Sequence, residues 1–162
     1  MLGDEHVDEV VEAAVDAARL AARLRLAAVY PRPVHLYLIR HAEAERGEPD
    51  ELRRLTLEGR EAARRLGEEL ADEDVSLVLA SPLLRARETA ELIARGCGAD
   101  VEVDERLAPG AGVAEVRAAV EGRGDRVAIV GHQPDCSNVT LALTGRDPGF
   151  PAAGMTRLDL PA

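Results

Sequence analysis

The chain has 162 residues, 46% of them hydrophobic and 31% charged, with a formal net charge of −10. That length suits one domain, and the apolar share is enough for a core and too high for a disordered chain. The acidic balance excludes a general nucleic-acid binder, which needs a basic surface to neutralise phosphates.

The chain opens on Met1-Leu2-Gly3-Asp4-Glu5, acidic and without the basic region and apolar core of a secretory signal. It contains no apolar run long enough to cross a bilayer, so no membrane partner and a cytoplasmic location are expected. Residues 4–29 read as one long helix, because Val7, Val10, Val11, Ala14, Ala17, Ala18, Ala21 and Leu24 recur at helical spacing. Acidic residues crowd its first half and arginines its last, matching the helix dipole. Pro31 and Pro33 stop it. Residues 1–33 are therefore an N-terminal extension to a domain at 34–162. Three roles stay open for its alanine-rich stripe: packing on that domain, a homodimer contact, or docking of a partner.

Val34 to Ile39 is an apolar run of strand length, apolar at both parities as in a parallel sheet covered on both faces. It ends abruptly in Arg40 and His41. Ala44 to Arg54 follows as a polar loop over the mouth of the site. Thr56 is an N-cap for a helix to about Leu70, with Glu58 and Glu61 in its first turns. Val75 to Ala80 is the second strand. Ser81 is expected to cap the next helix with Pro82 in its first position, the helix running to Arg95 and ending at Gly96. Arg85 falls in the opening turn, facing an anion at the helix N-terminus. Val101 to Val103 reads as a short strand, Asp104 to Gly112 as a loop, and Val113 to Val120 as a helix closed by Gly122 and Gly124. Arg126 to Val130 is the third buried strand, followed by Gly131-His132-Gln133-Pro134 and a helix to Leu143. Met155 to Leu160 is the last strand. Alternating strands and helices predict a layered α/β sandwich.

Three strands thus deliver arginine or histidine at one end, and the carboxyl edge of an open α/β sheet is where ligands bind. A neutral imidazole offers a lone pair to phosphorus, and arginine forks can neutralise the phosphoryl oxygens that would repel it. Arg40, His41, Arg85 and His132 make a sufficient set, with no metal or cofactor required. All 20 basic residues are arginine, so lysine chemistry is excluded. Cys97 and Cys136 form neither a disulfide framework nor a metal-ligand spacing. Cys136, near a helix start, is read as a small apolar filler rather than a reactive thiol. His35 is read as structural and His6 as solvated; Arg53 and Arg54, on the loop facing the mouth, default to solvated charge.

Arg40-His41-Ala42, Ser81-Pro82-Leu83-Leu84-Arg85-Ala86 with Thr89-Ala90, and Gly131-His132-Gln133-Pro134 together resemble the histidine phosphatase superfamily. Leu55-Thr56 with Gly59, Leu107-Ala108-Pro109-Gly110 and Asp135 resemble its SixA branch of small phosphohistidine phosphatases. The resemblance covers roughly Val34 to Leu160. It implies a phosphoglycerate mutase-like fold: a three-layer α/β/α sandwich with a mainly parallel central sheet, to which the N-terminal helix is an addition. It also implies that His41 accepts the phosphoryl group, that Arg40 and Arg85 bind its oxygens, and that His132 stabilises its charge. Two departures stand out. Ala42 replaces the usual glycine after the histidine. Pro109 stands where mutases and many monoesterases of the superfamily carry a glutamate two residues after a leucine. An alkoxide leaving group needs a proton donor there, whereas the imidazole of phosphohistidine needs less help. Glu43, Glu45, Glu88 and Asp135 are substitutes for that acid, though surface or helix-dipole roles fit each better.

The resemblance therefore implies a metal-independent phosphatase acting on phosphohistidine in a protein, such as a phosphotransfer domain or phosphotransferase-system carrier. The alternatives are a phosphomonoesterase for small molecules and a non-catalytic phosphate-binding scaffold.

Overall fold

The computed structural model describes residues 4–29 and 32–161. Five strands, β1 (Val34–Arg40), β2 (Leu77–Ala80), β3 (Asp100–Val103), β4 (Arg126–Gly131) and β5 (Met155–Leu160), form one sheet in the order β3-β2-β4-β1-β5. β1, β2 and β3 each run parallel to their neighbours on the β4 side of the sheet, and only β5 is antiparallel, against β1. Helices α2 (Leu57–Glu69), α3 (Leu84–Cys97), α4 (Val113–Val120) and α5 (Asp135–Thr144) connect them.

The two-residue period of a strand decides which side chains meet which helices. Leu36, Leu38, Leu77, Leu79, Val127 and Ile129 point to one face, where they pack with Val116, Ala119 and Val120 of α4 and Val139 of α5. Tyr37, Ile39, Val78, Ala80, Ala128 and Val130 point to the other, where they meet Leu66 of α2 and Ala86, Ala90 and Ile93 of α3. Both faces are thus covered, which is why the strands read as unbroken apolar runs. With aromatics at 2% of the chain, aliphatic side chains fill both layers.

Glycine sets the spacing of the α2–α3 layer. A Cβ on Gly96 would lie 2.7 Å from the backbone of Gly67, and one on Gly67 would lie 2.8 Å from the Ile93 carbonyl oxygen. Gly96 therefore does not end α3 as its sequence position suggested. The helix runs on to Cys97 and is closed by Gly98 at φ 73°, a left-handed conformation that glycine adopts without penalty. β2 is likewise shorter than expected: Val75 is buried, but the strand begins at Leu77.

Helix α1 (Asp4–Val29) belongs to a separate compact unit ending at Pro33; Val34–Pro161 form the other. Along α1, Val7, Val10, Val11, Leu20 and Leu24 are exposed. His6, read as solvated, lies outside the residues whose side chains are described. Among the described residues, no helix is long and apolar enough to cross a membrane.

Candidate active site

The parallel register brings the functional residues to one edge. Arg40 pairs with Gly131 and Ala80 with Val130, so the residues that follow, His41, Ser81 and His132, leave the sheet side by side. The turn after β1 is pinned from several directions. The amide of His41 donates to the Gly131 carbonyl at 2.9 Å, and that of Ala42 to Thr89 Oγ1 at 3.0 Å. Thr89 Oγ1 in turn donates to the Arg85 carbonyl at 2.7 Å. Ala42 is fully buried, which accounts for a small residue there.

His41 Nδ1 lies 2.7 Å from the carbonyl oxygen of Ala42. A carbonyl only accepts, so Nδ1 carries the proton and Nε2 carries the lone pair. Arg85 Nε donates to that Nε2 at 3.3 Å. Burial, with Arg85, Arg40 and Arg53 nearby, lowers the pKa of His41 to about 4 against the pull of its bond to Ala42. The imidazole is neutral at physiological pH. His132 is 3% exposed, its ring centroid 5.3 Å from that of His41, and its pKa also falls to about 4, chiefly through burial.

Arg40 donates through one terminal nitrogen to the Phe150 carbonyl at 2.8 Å. Its Nε, like Nδ1 of His132, is buried without a hydrogen-bond partner. Unmade hydrogen bonds on buried polar groups are costly, and these two belong to the residue before His41 and to the imidazole beside it. The structure brings all four sequence-predicted residues together.

Three residues join them that the sequence reading missed or misassigned. Ser81 does not cap α3. Its hydroxyl lies 2.6 Å from His132 Nε2, and the cap position falls on Leu83 with no side-chain bond. A serine before a proline carries a capping signature, and nothing local reveals that the hydroxyl is engaged by a histidine 51 positions away. Asp50, in a short 3-10 helix (Asp50–Leu52), accepts from Arg85 twice: its carbonyl at 2.9 Å and its Oδ2 at 3.1 Å. Arg53 is not simply solvated; it donates to Asp50 Oδ1 at 3.0 Å and to the Glu45 carbonyl at 2.6 Å. No sequence signal singled out Asp50 within an acidic loop.

Glu88, Asp135 and His35 have structural partners. Glu88 accepts from the Leu55 amide at 2.8 Å and Arg60 at 3.1 Å, tying the loop after β1 to α3. Asp135 accepts from the Gly110 amide at 2.8 Å. His35 Nδ1 sits 2.6 Å from Asp159, away from this edge. Cys136 is buried and its thiol pKa is pushed up to about 12 by desolvation, as a filler should be. Among the described residues, no three His, Cys, Asp or Glu side chains gather as metal ligands do.

A sheet of this order with two histidines and two arginines at its carboxyl edge defines a class, and comparison with known proteins agrees. The chain belongs to the histidine phosphatase superfamily (branch 1), whose family model matches residues 36–110. It is 30% identical to a protein from Nakamurella multipartitia assigned as phosphohistidine phosphatase SixA, covering 78% of this chain and 84% of that one with a TM-score of 0.64. A protein from Agrobacterium tumefaciens with the same assignment is 27% identical, covering 78% of this chain and 92% of its own, at a TM-score of 0.68. The protein assigned as phosphoglycerate mutase GpmB in Salmonella choleraesuis is 37% identical over 81 residues, which is 46% of this chain but only 37% of that relative's length.

Proposed function

We propose that this protein hydrolyses phosphohistidine on a protein substrate through a covalent phosphohistidine formed on its own His41. The observation that carries the reading is the fixed tautomer of His41, whose unprotonated Nε2 accepts from Arg85 Nε at 3.3 Å, a bond that the incoming phosphorus replaces. In the first step that lone pair attacks phosphorus, the bond to the leaving nitrogen breaks, and the departing imidazole keeps its electron pair and takes a proton from solvent water. In the second, water attacks the phosphorus, the bond to Nε2 breaks, and inorganic phosphate leaves neutral His41 behind. Arg85 and the unpaired Arg40 Nε supply charge-assisted donors for the phosphoryl oxygens. With the Ser81 hydroxyl donating to His132 Nε2, His132 Nδ1 bears a proton and is a third donor.

The residue at position 109 bears on the leaving group. Pro109 cannot donate a proton, and Asp135 accepts from the amide of the next residue, Gly110. An imidazole departs with less protonation than an alkoxide. The SixA assignments of the two structural relatives favour the same substrate class. The identity to GpmB favours the second reading, a small phosphoester substrate.

The deciding experiment offers a phosphohistidine protein and a small phosphoester in competition, with chelator present and His41→Ala as control. Preferred turnover of the phosphohistidine protein supports the proposal. Preferred turnover of the ester replaces the substrate, and full activity in the His41→Ala protein removes the mechanism.

A further inference from the structure

We infer that Asp50 is a positioning residue, holding the guanidinium of Arg85 beside His41 with N–H groups left to meet the oxygens of a phosphoryl group arriving at Nε2. The inference rests on the phosphatase reading above and assigns a residue of that site which none of the motifs contains.

The geometry is a three-point hold. Arg85 donates through one terminal nitrogen to the Asp50 carbonyl at 2.9 Å, through the other to Asp50 Oδ2 at 3.1 Å, and through Nε to His41 at 3.3 Å. Its side chain is 8% exposed while that of Asp50 is 52% exposed, so the buried cation is fixed by a carboxylate on the outer loop. Asp50 is itself fixed, because Arg53 donates to its other oxygen at 3.0 Å and to the Glu45 carbonyl on the far side of the loop. These contacts, the Arg53 bond foremost, hold the Asp50 carboxyl below its ordinary pKa and keep it ionised, which also makes it a poor proton donor. Each terminal nitrogen of an arginine carries two hydrogens, so engaging one with Asp50 leaves the other for a phosphoryl oxygen. The orientation of the guanidinium is thereby set before substrate arrives. That is preorganisation, effective on the charge that develops in the transition state more than on ground-state binding.

The test is the Asp50→Ala protein, with Asp50→Asn beside it, each checked by thermal unfolding. Displacing a catalytic group by about 1 Å costs on the order of 100-fold, so kcat in Asp50→Ala should fall by roughly 10-fold to 100-fold while KM moves less than about threefold. Sodium formate, small enough to replace the lost carboxylate, should restore part of that kcat, and it should do nothing for Arg85→Ala. In an Arg85→Ala background, removing Asp50 should cost nothing more. The NMR signal of the Arg85 Nε–H should be resolved and slow to exchange in the parent and lost to exchange in Asp50→Ala, a readout independent of turnover. A kcat within twofold of the parent, an equal loss in the Arg85→Ala background, or an unchanged Nε–H signal would overturn the assignment. An inert parent with the NMR difference intact would instead count against the phosphatase reading alone.

Discussion

The hydroxyl of Ser81 lies 2.6 Å from Nε2 of His132, and both side chains are buried. Two strands, β2 and β4, end in adjacent register, and the first polar residue after one orients the first after the other. Replacing Ser81 by alanine leaves a buried ring nitrogen unpaired, a loss of about 1–3 kcal/mol. The imidazole is then free to change tautomer, and kcat/KM should fall by roughly 10-fold to 100-fold, since each 1.4 kcal/mol is tenfold. Steady-state kinetics of Ser81→Ala check this, with Ser81→Thr retaining much of the activity where its extra methyl is accommodated.

Both active-site histidines titrate near pH 4 instead of near 6.5. In the proposed mechanism His41 attacks as the neutral imidazole, so the acid limb of kcat/KM should lie near pH 4–5. The same depression fixes the sign for stability. Between these values the unfolded chain binds protons that the folded one does not. The contribution is complete above about pH 6.5 and is lost as pH falls towards 4. Denaturant unfolding at several pH values should show the midpoint dropping across that window, with a smaller drop in a His41→Ala, His132→Ala double variant.

Gly59 allows α2 to reach the turn that carries His41. A Cβ there would sit 2.2 Å from the Glu43 carbonyl oxygen, the same oxygen that accepts from the Thr56 amide. Gly59→Ala should destabilise by about 1–3 kcal/mol, as overpacking does. It should also lower kcat, because the displaced segment begins two residues after His41, the proposed nucleophile. Unfolding and kinetics measured together check both effects.

Much of this was legible in the chain. Apolar runs at both parities announced a sheet covered on both sides, and Thr56 capped α2 as its position predicts, accepting from the Gly59 amide at 3.0 Å. The polar residues that interrupt each run meet at one edge, that of the candidate site, because a parallel sheet aligns strand ends. What stayed hidden were partnerships across long separations. Ser81 and Gly96 each carry a local signature, cap and helix stop, that tertiary packing overrides: one is engaged by His132, the other by close contact with Gly67. Asp50 carries no signature, since its role exists only once Arg85 is brought to it from 35 positions away.

Cys136 is buried with a thiol pKa near 12, whereas Cys97 is partly exposed. Iodoacetamide at neutral pH should therefore alkylate Cys97 alone in the folded protein and both residues in denaturant, as mass spectrometry of digests would show.

Residues up to Pro33 form a unit of their own. A chain beginning at Val34 should keep the parent kcat, and if the apolar stripe of α1 joins two copies, sedimentation should show the parent as a dimer and the shortened chain as a monomer.

The proposed intermediate is a phosphoryl group carried on Nε2 of His41. Rapid quenching during turnover of a 32P-labelled phosphohistidine protein, followed by peptide mapping, measures it directly. Alkali-stable, acid-labile label on the peptide containing His41, absent from the His41→Ala protein, is the predicted result. Steady turnover with no label on that peptide would contradict it, as would undiminished turnover in the His41→Ala protein.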